Sequence, residues 1–516
     1  MKTKLLVLVL FLLWVVPAFA QVDTAWVRKY IGPYGDDYAN AIVVDDLKNV
    51  YVTGASRDSG TGYINDYATV KYDSLGVEQW VARYNGSPTR NWPDEARAIA
   101  VDANGVYVTG YISYYILEDS SDLCTIKYDK TTGDTIWLRK YDGANKCDQA
   151  YAIALDRMGN VYVTGKSKVD TSGFDYLTIK YSPDGVQRWT ARYNNSNGNG
   201  WDYAYAIAVD IIGNVYVTGQ SYDLNTYYDC TTVKYDSSGV EKWARRYSYQ
   251  GNWSDEGDAI AVDDAENVYV TGRSVSTTSG WDYVTIKYNT GGTQLWAKRY
   301  NGTANYDDEA TGIDLDDSGN IYVTGKSGIG SFYYQYATVK YLPNGTQDWV
   351  RTYIGPANLT AWSNAVVVDH KNNIYVTGYD YASDTTSNYV TIKYSPDGTE
   401  GWIARYSSGI PQGGDWATAV CVDQDNSVYV TGYSVGSETD YDYTTIKYFQ
   451  SLCGDVTGDD VVDVGDVVYL INYLFKNGPA PDPLQAGDVN LDAVVDVGDV
   501  VYLINYLFKS GPPPCE

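Results

Sequence analysis

Two stretches near the C-terminus space their oxygen-bearing side chains as a metal site requires. DVTGDDVVDVGD occupies residues 455–466 and DVNLDAVVDVGD residues 488–499. Counted as twelve-position loops, they place oxygen ligands at positions 1, 3, 5, 9 and 12. These are Asp455, Thr457, Asp459, Asp463 and Asp466, then Asp488, Asn490, Asp492, Asp496 and Asp499. Position 7 adds the backbone carbonyl of Val461 or Val494. Calcium takes about six to eight hard oxygens from such a pattern, and the last carboxylate opens a helix. The expectation is two bound Ca2+ ions whose uptake shapes the segment.

A second set of carboxylates recurs through the rest of the chain: Asp37, Asp94, Asp148, Asp202, Asp255, Asp308 and Asp415, with Ala361 in the equivalent place. A further set, Asp66, Asp122, Asp175, Asp229, Asp282 and Asp442, lies five residues before a recurring Lys-Tyr pair, with Gln335 and Asn388 substituting. A repeated aspartate commonly fixes a loop by accepting backbone hydrogen bonds. The alternative is a carboxylate ring around a channel mouth that holds cations or polar ligands. Trp92, Trp201, Trp253, Trp362 and Trp416 are expected in loops beside the first set, and Trp281 in a neighbouring loop. Aromatic faces next to carboxylates suit sugars. The chain has one histidine, His370, which leaves ordinary catalytic triads and most zinc sites short of an imidazole.

The elements that position these residues come from an internal repeat. YVTG begins at Tyr51, Tyr107, Tyr162, Tyr216, Tyr269, Tyr322, Tyr375 and Tyr429, spaced by 53 to 56 residues. Each unit holds four short runs rich in Val, Ile, Thr and Tyr, here named A to D, with tight Asp/Gly turns between A and B and between C and D. The longer D–A and B–C loops share the opposite face. Four antiparallel strands repeated in this way describe propeller blades. The array opens on a D run at Trp26 and ends on a C run at Lys447. Pairing the first D strand with the last C strand would close an eight-bladed ring and leave no open edge.

Residues 461–476 and 494–509 are identical, VVDVGDVVYLINYLFK. Val467, Leu470, Ile471, Leu474 and Phe475 fall at helical spacing, as do their counterparts Val500 to Phe508. Each calcium loop thus feeds one amphipathic helix, and the two helices are expected to bury their faces on one another.

The formal charge is −27. That disfavours nucleic acid and anionic membranes. Residues 1–20, with Lys2, Lys4, an apolar run and Ala18-Phe19-Ala20, read as a secretory signal peptide. No membrane span is expected elsewhere.

The repeats resemble bacterial β-propeller repeats of the SBBP type over roughly residues 21–450. The last segment, 451–516, resembles a type I dockerin. The fold expected is therefore an all-β eight-bladed β-propeller, four antiparallel strands per blade, followed by a small α-helical dockerin-like module. The dockerin resemblance implies calcium-dependent docking to a cohesin-like partner, at loop positions 10 and 11. Those positions are Val464-Gly465 and Val497-Gly498, where hydroxyl residues are usual. Asp460 and Ala493 also replace the usual position-6 glycine. Cys453 and Cys515 at the ends of the module are predicted to pair, a closure of about 4 kcal/mol in the chain-entropy model. Cys124 and Cys147 form a second candidate pair. The functional expectation is a secreted or cell-surface, non-catalytic scaffold whose propeller loop face binds a polysaccharide or a protein. The rivals are a glycoside hydrolase or polysaccharide lyase, with Glu118 and Asp119 in the least typical loop, and a structural spacer.

Overall fold

A computed structural model describes residues 22–58, 64–86, 92–114, 120–143, 146–169, 173–195, 197, 200–249, 253–383, 386–410, 413–436, 440–450, 454–457, 462–481, 484–490, 492, 494–509, 511–512 and 514. The leader, Glu118, Asp119, Cys453, Asp459, Asp460, Val461, Ala493 and Cys515 lie outside the described residues. The chain divides into two compact units, one spanning Thr24–Phe449 and the other containing Gln450–Glu516.

The larger unit is an eight-bladed propeller of four-stranded antiparallel sheets. Seven blades run A–B–C–D in chain order. The eighth is completed by the N-terminal strand Val22–Tyr30, which pairs with Tyr441–Gln450. The split phase of the repeat is therefore the ring closure. The A strands of successive blades contact one another and form the inner wall. They are Asp37–Val44, Glu95–Asp102, Asp148–Leu155, Asp202–Val209, Asp255–Val262, Asp308–Leu315, Ala361–Val368 and Asp415–Val422, in blades 1 to 8. B strands such as Val50–Arg57 are buried along nearly their whole length, because both faces of each sheet are covered by neighbouring blades.

The recurring motifs are the latches between blades. Trp137 on strand D donates its Nε1–H to the carbonyl of Pro183 in the next blade's C–D turn (3.1 Å), and Lys127 Nζ donates to the same oxygen (3.1 Å). Trp80, Trp189, Trp243, Trp296 and Trp349 repeat this bond at 3.1–3.2 Å. The turn glycine packs under the indole. A Cβ on Gly185 would lie 2.8 Å from the Trp137 ring, and its φ of +79° already favours glycine. Blade 8 takes its D strand from the other end of the chain and so has no C–D turn. The indole that would have used it, Trp402, is buried with no hydrogen-bond partner at Nε1 among the described residues.

In the smaller unit, helices α1 (Val464–Lys476) and α2 (Val497–Lys509) pack on one another through Val467, Leu470, Val500 and Leu503, with Val456, Val489 and Ala486. Asp463 caps α1 and forms a reciprocal capping box with Asp466. Among the described residues, no helix is long and apolar enough to cross a membrane.

Candidate functional site

The two loops that precede the helices are organised by their last carboxylate. Asp499 is fully buried. Its Oδ1 accepts the N–H of Val489 (2.8 Å) and of Asn490 (3.3 Å), and its Oδ2 accepts that of Asp496 (2.8 Å). Asp466 does the same in the first loop, for Val456, Thr457 and Asp463 at 2.8–3.0 Å. In the second loop, Asp488 Oδ1 and Asn490 Oδ1 both approach the N–H of Asp492, at 3.1 and 3.0 Å. Asp492 Oδ1 accepts from Val494 N at 3.0 Å. Three oxygens of the loop are thus turned inward on one short stretch of backbone, and the donor set is all hard oxygen. That chemistry fits calcium. Asp455 and Thr457 are joined by a 3.2 Å hydrogen bond at the matching place in the first loop. Among the described residues, no three acidic side chains are gathered into a cage on their own.

The positions expected to face a docking partner are on the surface. Val464 is 51% exposed and Val497 50%, with Gly465 and Gly498 exposed beside them. Each begins a longer apolar stripe that helical spacing continues. Val468 and Phe475 on α1 are exposed, and so are Val501 and Phe508 on α2. The sequence reading assigned the phenylalanines to the helix–helix face. They lie outside it because Leu470 and Leu503 already fill the contact.

In the propeller, the seven repeated aspartates stand at the head of the A strands and are only 0–1% exposed. Their carboxylates accept backbone N–H groups of the preceding D–A loop: Gly32 to Asp37, Gly86 to Asp94, Gly143 to Asp148, Gly302 to Asp308 (2.6–2.7 Å), Tyr249 to Asp255 and Ser408 to Asp415 (2.8 Å), and Asn195 to Asp202 (3.4 Å). Burial pushes Asp37, Asp94, Asp148, Asp202 and Asp308 up to about 6 and Asp255 up to about 7. A ligand arriving from solvent meets the loops before it meets these oxygens.

A basic residue on strand D, absent from the sequence reading, balances the second aspartate set. Arg246 pairs with Asp229 (2.6 Å), Arg192 with Asp175, Arg83 with Asp66 and Lys29 with Asp442 (3.5 Å). Blade 6 has Gln335 in place of the aspartate and Thr352 in place of the arginine. In blade 7 the apparent exception, Ala361, pairs across the ladder with Asp380. That aspartate stands where six of the other blades pair a serine with the A-strand aspartate. Asp380 is fully buried, accepts from Tyr353 Oη (2.6 Å) and pairs with Arg405. The carboxylate has moved one strand outward. Aligning the unit at its D strand shows the Arg/Lys position, and the serine position then reveals the swap.

The tryptophans divide. Trp201 (52% exposed) and Trp253 (47%) are open to solvent at the loop face, and Trp92 is half-buried outside the strands. Trp362, Trp416 and Trp281 are not loop residues. The first two are second in their A strands, paired with Tyr379 and Tyr433, and Trp281 is second in a C strand, paired with Val275. Ladder pairing runs further toward the loop face than the hydrophobic pattern indicates, because these strand ends are aromatic and polar. Trp416 packs on Tyr433 and Tyr441 at 5.3 and 5.4 Å, and Lys326 Nζ sits 3.8 Å over Trp362. Cys124 and Cys147 are free thiols, so the second candidate pair is not formed. Cys147 Sγ lies 3.2 Å from Ser121 Oγ.

A family model for the dockerin type I domain matches residues 453–508. A β-propeller repeat model, SBBP, matches residues 25–57, 136–170 and 296–333. An uncharacterized WD repeat-containing protein of Acanthamoeba polyphaga mimivirus is 23% identical over 77% of this chain. The match covers 29% of that protein, so the chain spans less than a third of its length. Matching solved structures include the polysaccharide lyase Uly1, at 11% identity over 72% of this chain and 92% of that one, with a TM-score of 0.42. The β-propeller domain of the Trilobed protease from Pyrococcus furiosus matches at 8% identity over 69% and 96%, with a TM-score of 0.40. At these scores neither likeness specifies a substrate or an activity. The two units of the chain are an eight-bladed propeller built of SBBP-type repeats and a C-terminal dockerin type I domain, a module of calcium-binding, cohesin-docking type.

Proposed function

We propose that this is a secreted, non-catalytic binding scaffold, carried to a cohesin-like partner by its C-terminal module while the propeller loop face holds a polysaccharide. The observation that carries the docking half is the duplicated apolar stripe, Val464–Val468–Phe475 on α1 and Val497–Val501–Phe508 on α2, exposed by 49–64% beside two loops of matching donor spacing. Contiguous exposed apolar residues rimmed by polar ones mark interaction sites. Because the stripes are identical, either helix offers the partner the same surface. Asp455, Thr457, Asp463 and Asp466 with Asp459 and Val461, and Asp488, Asn490, Asp492, Val494, Asp496 and Asp499, would hold one calcium ion each. The ions would supply the charge that keeps each loop closed onto its helix. Cys453 and Cys515 would clasp the ends of the module.

The test is capture of a type I cohesin by the full chain, with calcium and with a chelator. Binding should require calcium. Val464→Asp or Val497→Asp alone should leave binding within about threefold, and both together should abolish it. Capture that persists in chelator removes the calcium-docking reading. Loss with either single change removes the two-orientation reading. For the propeller, the solvent-open Trp201 and Trp253 favour a glycan.

A further inference from the structure

Every A strand carries a β-bulge three residues after its first position (two in blade 2), and the bulged residue drops out of the ladder. Bulges re-aim side chains and gather near functional sites. In four consecutive blades the bulged residue stitches the inner wall. Asn40 Nδ2 donates to Ala96 O (2.8 Å), Thr311 Oγ1 to Ser363 O (3.0 Å), Asn364 Nδ2 to Ala417 O (2.6 Å) and Thr418 Oγ1 to Ala39 O (2.9 Å). These are blades 6, 7, 8 and 1, each bonded to the A strand of the next blade. In blades 2 to 5 the same position carries Arg97, Tyr151, Tyr205 and Asp258, all half-buried. Their contacts run along the wall. The Arg97 guanidinium lies 4.6 Å from the Tyr151 ring, Tyr151 and Tyr205 meet edge-on at 5.8 Å, and Asp258 sits among Glu256, Arg273 and Glu309.

In these four blades aromatic and charged side chains replace the small stitching residues, and Arg97 also pairs with Glu95 at 3.5 Å. We propose that this half of the inner wall is a carbohydrate site, taking a pyranose at the end of a glycan chain. The tyrosine rings would cover the apolar face of the sugar, and Arg97 and Asp258 at the two ends would bond its hydroxyls. The bulge level lies roughly 10 Å below the loop face, three strand residues in. Trp362 and Trp416 lie nearer the mouth, in the A strands of blades 7 and 8 across the ring. The inference rests on the reading that the propeller takes a glycan from its loop face, and it locates the terminal sugar.

The test is calorimetric titration of the full chain, in calcium, with cellohexaose, xylohexaose, mannohexaose and chitohexaose. The informative variant is Tyr151→Thr with Tyr205→Asn, which installs the residues that the stitched blades already carry at this position. Asp258→Thr is an independent second variant. Both should keep the wild-type Tm and weaken the bound hexasaccharide by about tenfold or more, a larger loss than Trp201→Ala with Trp253→Ala causes. Unchanged affinity in both wall variants overturns the inference. If the loop pair abolishes binding instead, the loop-face reading stands and the wall site falls. If none of the four sugars binds, both fall.

Discussion

Asp148 offers a sharp test of how the blades tolerate buried carboxylates. The side chain is fully buried, accepts Gly143 N–H at 2.6 Å through Oδ2, and has no hydrogen-bond partner at Oδ1 among the described residues. Burial raises its pKa to about 6, against the hydrogen bonds from the Ser167 hydroxyl and Gly143 N–H and the attraction of Arg192. The unfolded chain ionises near the ordinary value of about 3.9. A folded-state pKa above the unfolded one means that the folded form prefers the proton. The stabilisation is full below about pH 4 and is lost as pH rises through 6. The difference of about two pK units corresponds to about 3 kcal/mol, an upper figure for one group. Asp148→Asn cannot titrate, and its amide nitrogen takes the place of the unpartnered Oδ1. The stability of the variant relative to wild type should therefore improve by up to about 3 kcal/mol between pH 4 and pH 8. Tryptophan fluorescence during denaturant unfolding isolates the propeller, because no tryptophan follows residue 416. A gap that is the same at both pH values, or that moves against the variant as pH rises, would refute the argument. It would mean that Arg192 and the backbone keep the carboxylate charged in the fold.

Other consequences follow from the same geometry. Gly185→Ala and Gly319→Ala impose a side chain at nearly the same φ (+79° and +73°), but the first drives a Cβ to 2.8 Å from Trp137 and the second meets nothing nearer than 3.8 Å. Gly319→Ala should cost about 1 kcal/mol of backbone strain, and Gly185→Ala clearly more, measured as the shift in denaturation midpoint. Trp137→Phe removes a hydrogen bond to Pro183 O that Trp402→Phe does not have to lose, so the first should be the more destabilising by about 1 kcal/mol. Asp380→Ala leaves Arg405 and Tyr353 without their shared acceptor and should cost about 3 kcal/mol or more, whereas Ala361→Ser should be nearly silent if the swap across that pair is complete. Stripping divalent ions from the full chain should lower helical circular dichroism while leaving the tryptophan signal of the propeller unchanged, since α1 and α2 are the α-helices of the described residues.

Much of the architecture was legible because it is local and repeated. A strand of half a dozen residues, an Asp/Gly turn and a 53–56-residue period can each be read without knowing what they touch. The offset between the first D run and the last C run even implied the closure of the ring. The twelve-position loops were legible for the same reason, since their donors are close in sequence. The site on the propeller was less so. The seven aspartates looked available for ligands because their spacing says nothing of burial, and only the stacking of loop over strand put them at 0–1% exposure.

What the sequence determined by itself is the period, the strand type, the phase and the donor order of the loops, all set by interactions a few residues long. What the tertiary structure alone decided lies between segments about 20 residues or more apart, up to the full length of the ring. It moved blade 7's carboxylate from Ala361's strand to Asp380. It drew Trp362 and Trp416 into strands, left Trp402 without an acceptor where the ring closes, and turned the bulged residues of four blades away from stitching. The physical reason is that a side chain's partner on a neighbouring strand or blade depends on register and ring closure, and neither is written in any one repeat.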